Sequence, residues 1–122
     1  MLLKDKYYEL IGQQETDPQN ATYRLRLLPE CSVYEGHFPN NPICPGVCNI
    51  EVIRECSIML TGKPLHIISI KQCRLTAVAT PQLCPELVIS INAIQQTGCY
   101  CVTAKITDGE KTYMDFRGTL GL

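Results

Sequence analysis

The residue with the clearest potential for acid–base chemistry lies in a proline-rich stretch of the chain. His37 is one of two histidines in the sequence, and an imidazole can take up a proton near neutral pH and act as a general base. A lone histidine in a loop is also commonly a surface or hydrogen-bonding residue. We interpret the other histidine, His66, as structural, because it stands at the entry to a predicted strand. His37 is therefore a candidate base that needs partners.

A second candidate is an acidic residue with apolar neighbours. Glu51 lies between Ile50 and Val52 in a predicted helix. Burial raises the pKa of a carboxyl group, so that it can hold a proton at neutral pH and act as a general acid. The alternative is an ion pair with Arg54, three positions along the same helix, which would favour the ionised form. The residues alone leave both interpretations open.

Between these two residues the sequence predicts the start of a helix at Pro45-Gly46. The first N–H groups of a helix have no partner within it, and the helix dipole places partial positive charge there. A glycine lets a ligand approach closely, so this terminus can stabilise a carbonyl oxygen that becomes negative during a reaction. Proline followed by glycine also begins helices that bind nothing. An oxyanion site is thus one of two interpretations of Gly46.

The predicted elements place these residues around one buried helix. We predict a short helix over 4–11, a polar loop over 12–20, a strand over 21–28, an ordered loop over 29–45 and a helix from 45 to 60 or 61. Four strands joined as a meander follow over 67–80, 87–95, 99–107 and 111–120, with turns at 81–85, 96–98 and 108–109. The helix is apolar nearly all round, which is typical of a buried helix. The pattern favours an α+β fold in which an antiparallel sheet curves around a central helix.

Length and charge limit the class of protein. A chain of 122 residues fits a single domain over 1–122. Eleven basic against twelve acidic residues give a net charge of -1, which argues against nucleic-acid binding and a polybasic membrane anchor. The sequence has neither a signal-peptide pattern nor an apolar run of bilayer length. We therefore expect a cytoplasmic protein with no nucleic-acid or membrane partner.

The chain contains eight cysteines, which raises the question of disulfides or a metal. They are Cys31, Cys44, Cys48, Cys56, Cys73, Cys84, Cys99 and Cys101. They are scattered, and no C-x-x-C pair occurs among them, so neither a disulfide framework nor metal-ligand spacing is recognisable. We interpret them as reduced core thiols and expect no metal.

Residues 36–51 together form a recognisable motif, Gly-His-Phe-Pro-Asn-Asn-Pro-Ile-Cys-Pro-Gly-Val-Cys-Asn-Ile-Glu. It closely resembles the active-site segment of the 3-hydroxyacyl-acyl-carrier-protein dehydratases, which reads G-H-F-P-G-x-P-x-x-P-G-V followed by an acidic residue in the helix. The resemblance implies that His37 is the catalytic histidine, Glu51 the catalytic acid, and Gly46 the residue whose amide binds the thioester carbonyl. Other residues implied to form the pocket or its loop are Phe38, Pro39, Pro45 and Val47.

This resemblance also implies an architecture and a reaction. The family has the hot-dog fold and forms homodimers or higher oligomers, in which His37 of one subunit would face Glu51 of the other. The implied reaction is dehydration of a 3-hydroxyacyl thioester to a trans-2-enoyl thioester in fatty-acid or polyene-type biosynthesis. It needs no cofactor, since the substrate arrives on the phosphopantetheine of acyl carrier protein. Basic residues suited to that acidic partner are Lys71, Arg74 and Arg117.

The segment departs from the family pattern at a few positions. Asn40 stands where the family usually has glycine, and Glu55 where glutamine is frequent. The N-terminal region is shorter than in common members, which resembles the short dehydratases of aryl-polyene-type pathways. Two other functions are compatible with the same fold, namely an acyl-thioesterase and a non-catalytic acyl-binding subunit.

Overall fold

The computed structural model describes residues 1–37 and 42–122. It contains six strands and two helices, and the second helix is four turns long. In chain order the elements are β1 (Tyr8–Asp17), β2 (Asn20–Leu27), α1 (Val33–Gly36), α2 (Gly46–Thr61), β3 (His66–Leu75), β4 (Glu86–Gln96), β5 (Cys99–Thr107) and β6 (Thr112–Gly121).

The six strands form one antiparallel sheet with the order β1-β2-β4-β5-β6-β3. Side chains on its inner face are buried against α2, and they alternate with exposed ones along β2, as the sequence predicts. Tyr23 and Leu25 of β2 and Ile89 of β4 are fully buried, as is Ile53 of α2. The predicted sheet around a central helix is confirmed.

The central helix α2 has the predicted limits. It begins at Gly46 and ends at Thr61, where Gly62 adopts a left-handed conformation with φ of 71° and donates its N–H to the Ile58 carbonyl. Most of its surface is buried or half-buried, and Val47 is its one exposed residue. The predicted buried helix is therefore confirmed, and its one exposed residue lies in the first turn.

The predictions for the N-terminal region are wrong. Residues 8–17 form strand β1 where a short helix over 4–11 and a loop over 12–20 are predicted, and the loop shrinks to the turn at Pro18-Gln19. The polar residues of this region suggested a loop, but β1 is an edge strand whose second half is exposed to solvent. Its backbone pairs with β2, and the Asp17 carboxylate accepts the Gln19 N–H at 2.8 Å across the turn. Polarity at a sheet edge is compatible with a strand.

The meander prediction holds for β4, β5 and β6 and is wrong for β3. Strand β3 lies on the far side of β6, so the chain crosses over between β3 and β4. The strand also ends at Leu75, earlier than the predicted residue 80. The Thr76 N–H still bonds to the Tyr113 carbonyl, but Ala79 accepts a hydrogen bond from Cys44, in the approach to α2. Residues 76–79 thus leave the sheet and pack beside the start of the helix.

The predicted hairpin turns are confirmed, and the predictions of the loop and of the core cysteines are confirmed in part. The predicted loop over 29–45 contains the single-turn helix α1, and both hairpin turns lie where glycines indicate them, with φ of 77° at Gly98 and 97° at Gly109. All eight cysteines are free thiols, and four are buried, although Cys73 is exposed and does not belong to the core. None of the helices in the described ranges is long and apolar enough to cross a bilayer.

Candidate active site

A cavity of about 520 Å³ opens at the start of α2 and brings two of the predicted site residues together. Its wall is formed by the helix start, by the loop before it and by the segment after β3. The lining residues are His37, Ile43, Cys44, Gly46, Asn49, Leu75, Thr76, Ala77, Val78 and Ala79. His37 and Gly46 therefore face one space, and most of the other lining residues are apolar.

The hydrogen bond of the His37 ring assigns its tautomer. Nδ1 lies 3.1 Å from the carbonyl oxygen of Ile43. A carbonyl can only accept a hydrogen bond, so Nδ1 carries the hydrogen and the basic lone pair of the neutral ring is on Nε2. The Ile43 N–H also bonds to the His37 carbonyl at 3.1 Å. These two bonds hold the imidazole at the cavity and give it the protonation pattern of a general base.

The start of α2 has the geometry of an oxyanion site. Pro45 precedes the helix with an extended backbone, and its carbonyl accepts the N–H groups of Cys48 and Asn49. The N–H groups of Gly46 and Val47 come earlier and have no acceptor one turn back within the helix. A Cβ added at Gly46 would lie 3.4 Å from Leu75, an ordinary contact. Packing alone thus does not require glycine here, and Gly46 lines the cavity.

Glu51 does not line this cavity. Residues 46 and 49 lie roughly 60° apart around the helix, whereas residues 49 and 51 are about 160° apart. Glu51 accordingly shares the less buried side of α2 with Val47 and Arg54. Within a single chain, the predicted acid and the predicted base face different spaces.

The two interpretations of Glu51 prove compatible. Arg54 Nη1 lies 2.8 Å from Glu51 Oε2, and the two side chains are 17% and 19% exposed, so the ion pair exists. The pKa of Glu51 is nevertheless raised, first by its burial and then by the neighbouring carboxyl of Glu55, while Arg54 opposes the rise. Glu51 therefore holds a proton more readily than an ordinary glutamate, as a general acid must.

Glu55 lies one turn further along α2 and is 0% exposed. Its oxygens accept the backbone N–H groups of Leu3 at 2.9 Å and Lys4 at 3.0 Å, and the hydroxyl of Tyr8 at 2.8 Å. Burial and this last hydrogen bond raise the pKa of Tyr8, so its hydroxyl keeps the proton that it donates. The departure from the family's glutamine at this position is thus accommodated by donors from the N-terminal segment.

Comparison with known proteins places this geometry in a family. The sequence model of the ApeI-like dehydratases, described as ApeI dehydratase, matches residues 13–114. The chain belongs to this family. Among curated relatives, the 3-hydroxyacyl-[acyl-carrier-protein] dehydratase FabZ of Ligilactobacillus salivarius is 27% identical over 119 residues, covering 91% of this chain and 81% of the relative.

Solved structures share the fold of this ApeI-like dehydratase. The dehydratase heterocomplex ApeI:P from Xenorhabdus doucetiae superposes with a TM-score of 0.76 at 20% identity, over 94% of this chain and 98% of the other. The uncharacterised proteins from Erwinia carotovora subsp. atroseptica and PH1136 from Pyrococcus horikoshii give TM-scores of 0.66 and 0.67 at 15% identity. They cover 93% and 95% of this chain, and 94% and 82% of the respective other chain.

These findings confirm the predicted fold class and the predicted reaction class. The sheet around a central helix is the hot-dog fold, and the chain is a hydro-lyase of the dehydratase type. Phe38 and Pro39 lie outside the described residues, and the exposed Val47 does not line the cavity within one chain.

Sequence reasoning missed Asn49 as a site residue. It is 3% exposed and lines the cavity one turn after Gly46. Its Oδ1 accepts a hydrogen bond from the Tyr7 hydroxyl at 3.2 Å. A polar residue among apolar neighbours was visible in the sequence, but its position relative to the cavity depends on the helix face.

Two of the three predicted basic residues share one surface. Arg74 and Arg117 lie on the outer face of β3 and β6, in a shallow groove that Lys105 of β5 also lines. Asp115 lies between the cations, 3.6 Å from Arg74 and 3.9 Å from Lys105. Lys71 falls at a register irregularity of β3 and is not part of this groove. Arg74, Lys105 and Arg117 are called the outer basic cluster below.

No group of three or more histidine, cysteine, aspartate or glutamate residues in the described ranges has the arrangement of a metal site.

Proposed function

We propose that this ApeI-like dehydratase removes water from 3-hydroxyacyl thioesters carried on acyl carrier protein, with His37 as base and Glu51 as acid. The observation that carries the proposal is that His37, whose Nδ1 bonds to the Ile43 carbonyl, and Gly46, at the N-terminus of α2, line the same cavity. The ApeI-like family membership and the FabZ relative support the substrate class.

In the proposed reaction the thioester carbonyl binds at the Gly46 amide, which stabilises negative charge on its oxygen. Nε2 of His37 removes a proton from C2, and that electron pair forms the C2–C3 double bond as the C3–O bond breaks. The leaving hydroxide takes the proton of Glu51 and departs as water. Exchange with solvent then returns a proton to Glu51 and removes one from His37. The reaction needs no cofactor.

The proposal places the acid and the base in different subunits. Glu51 faces away from the cavity of its own chain, so a second subunit would have to supply the acid. Strand β3 lies at one edge of the sheet, and its residues Ile68 and Leu75 are each 62% exposed. An unpaired strand edge with apolar side chains is suited to pairing with another chain. A homodimer is proposed because one chain contains both His37 and Glu51.

Two further features fit the proposed setting. The outer basic cluster lies at the end of β3 that leads into the cavity, where an acidic carrier protein can dock and insert its pantetheine arm. Free thiols without a disulfide among them are typical of a reducing compartment, so the cytoplasm is proposed as the location.

The test is an assay with a 3-hydroxyacyl carrier protein, followed by mass spectrometry of the acyl group. The wild type should release water, and His37→Ala should lower the rate by about 100-fold or more, since general base catalysis is lost. His66→Ala is the matched control and should keep the wild-type rate, because His66 is an exposed residue at the start of β3.

Three results would contradict the proposal. Retention of the wild-type rate in His37→Ala would exclude His37 as the base. Release of free carrier thiol without loss of water would indicate a thioesterase. Binding of the acyl carrier with neither product would indicate a non-catalytic acyl-binding subunit.

A further inference from the structure

Asn49 is the buried carboxamide in a cavity whose other walls are mostly apolar. It is 3% exposed and faces the same space as His37 and Gly46. A polar side chain is costly to bury unless its hydrogen-bonding groups are satisfied. An apolar residue at this position would avoid that cost. We therefore expect the carboxamide to have hydrogen-bond partners.

Tyr7 satisfies one end of this carboxamide and thereby orients it. The Tyr7 hydroxyl donates to Oδ1 at 3.2 Å, and the fully buried ring stacks on Tyr34 with centroids 6.0 Å apart. Burial raises the pKa of Tyr7, so the hydroxyl keeps the proton that it donates. With Oδ1 engaged by Tyr7, the Nδ2 donors occupy the other side of the carboxamide.

The Nδ2 group opens to the cavity. Among the described residues, the Tyr7 hydroxyl is the hydrogen-bond partner found for Asn49. No side-chain nitrogen or oxygen that is sealed from solvent lacks a partner in the described ranges. Nδ2 is therefore accessible, and the space that it borders is the cavity. It offers a hydrogen-bond donor to whatever oxygen the cavity receives.

The helix sets the distance between this donor and the proposed oxyanion site. Residues 46 and 49 are neighbours on one face, with Cβ positions about 5–6 Å apart in a regular helix. In the proposed substrate the 3-hydroxyl oxygen sits two carbons beyond the carbonyl carbon. An acyl group whose carbonyl binds at Gly46 thus carries its 3-hydroxyl within reach of Asn49.

We propose that Nδ2 of Asn49 donates a hydrogen bond to the 3-hydroxyl oxygen of the bound substrate, and that Tyr7 positions the carboxamide for this contact. The contact selects acyl groups with an oxygen at C3 over saturated acyl groups and orients the leaving group before the C3–O bond breaks. The inference rests on the proposed function and assigns a specificity residue within that site.

The test compares binding of two pantetheine amides of equal chain length, one with a 3-hydroxyl and one saturated. Amides are used because their C2 proton is less acidic and turnover is slow. By isothermal titration calorimetry the wild type should bind the 3-hydroxyacyl amide about three- to tenfold more tightly, as one neutral hydrogen bond allows. Asn49→Leu should bind both amides equally.

Two further variants separate a substrate contact from a structural role. Tyr7→Phe keeps the ring and should reduce the preference without abolishing binding. Asn92→Leu is the matched control, since Asn92 lies on the sheet and bonds to Asn20 at 2.8 Å, and it should keep the wild-type preference. Asn49→Ala serves as the second variant if Asn49→Leu does not give a folded protein by circular dichroism.

The inference is overturned if a folded Asn49 variant keeps the wild-type preference, or if the wild type has none. Either result can occur while the wild type still dehydrates its carrier-bound substrate, which leaves the proposed function standing. Absence of dehydration by the wild type, measured separately, would count against the proposed function instead.

Discussion

At the scale of single residues, Glu55 shows how one buried carboxyl group holds a distant segment. Its two oxygens accept three hydrogen bonds from residues 3, 4 and 8, more than forty positions away in sequence. The N-terminal segment is thereby attached to the helix that bears Gly46 and Glu51. A residue beside the proposed acid therefore has a structural task that the family motif does not indicate.

Glu55→Ala should destabilise the protein strongly. The substitution leaves two backbone N–H groups and the Tyr8 hydroxyl without acceptors, so a loss of about 3 kcal/mol or more in the free energy of unfolding is expected. Glu55→Gln retains one acceptor oxygen and should lose less. Urea unfolding followed by circular dichroism measures both.

The control for these variants is Glu86→Ala. Glu86 pairs with Arg24 at 3.1 Å on the surface, and exposed ion pairs contribute only about 0–1 kcal/mol. Equal losses in Glu55→Ala and Glu86→Ala would show that the buried hydrogen bonds of Glu55 do not stabilise the fold as described.

The spacing of His37, Gly46 and Glu51 was predictable from the sequence, because all three belong to one short motif. The contacts of Asn49 with Tyr7 and of Glu55 with Tyr8 were not, since each joins residues more than forty positions apart. Tertiary packing determines which distant side chains contact a given face of a helix. Local sequence patterns therefore do not predict these contacts.

At the scale of elements, local signals correctly predicted the pairing of the three consecutive strands β4, β5 and β6. The hairpins of β4 with β5 and of β5 with β6 have short turns with glycine at positive φ. Strand β3 pairs with β6 instead, although β4 and β5 come between them in the sequence. No local signal indicates this pairing. Strand β1 was missed because the polar residues of an edge strand resemble those of a loop.

The turn between β5 and β6 should make the stability of the folded protein depend on pH in the acidic range. Asp108 accepts hydrogen bonds from the Lys111 N–H, the Tyr113 hydroxyl and the Glu110 N–H, which lower its pKa to about 2 from the ordinary 3.8. A lowered pKa in the folded state stabilises the protein above pH 3.8, and this contribution is lost as the pH falls towards 2. Asp108→Asn should be less stable near neutral pH and lose less on acidification.

Urea midpoints measured from about pH 5 downwards, as far as the protein stays folded, test this expectation. Glu110→Gln in the same turn is the matched control and should follow the wild-type curve. Parallel curves for Asp108→Asn and the wild type would exclude the carboxylate of Asp108 as a source of the pH dependence.

At the scale of the whole molecule, the proposed active site is complete only in an assembly. His37 and Gly46 face one cavity, and Glu51 faces the other side of α2. This division follows from the helical repeat, so in the proposed mechanism a second subunit would bring the acid to each base. The dehydratase from Xenorhabdus doucetiae was solved as a heterocomplex, so the next experiment is designed to distinguish a second copy of this chain from a different subunit.

Mixing two inactive variants tests the shared site. His37→Ala and Glu51→Gln should each be inactive alone, and co-refolded at equal amounts they should recover about a quarter of the wild-type rate if subunits pair at random in a two-fold dimer. Light scattering should show a dimer. Failure to recover activity would exclude a site that two copies of this chain share. A wild-type chain that is monomeric and inactive alone would point to the different subunit.

The attachment of the N-terminal segment to α2 also has a consequence for protein engineering. Tyr7 is hydrogen-bonded to Asn49, and the backbone N–H groups of residues 3 and 4 are hydrogen-bonded to Glu55. The first eight residues and the helix should therefore be exchanged as one unit. A chimera that takes α2 from one family member and residues 1–8 from another would combine mismatched donors and acceptors. Recombination libraries for altered acyl selectivity should therefore exchange both segments together.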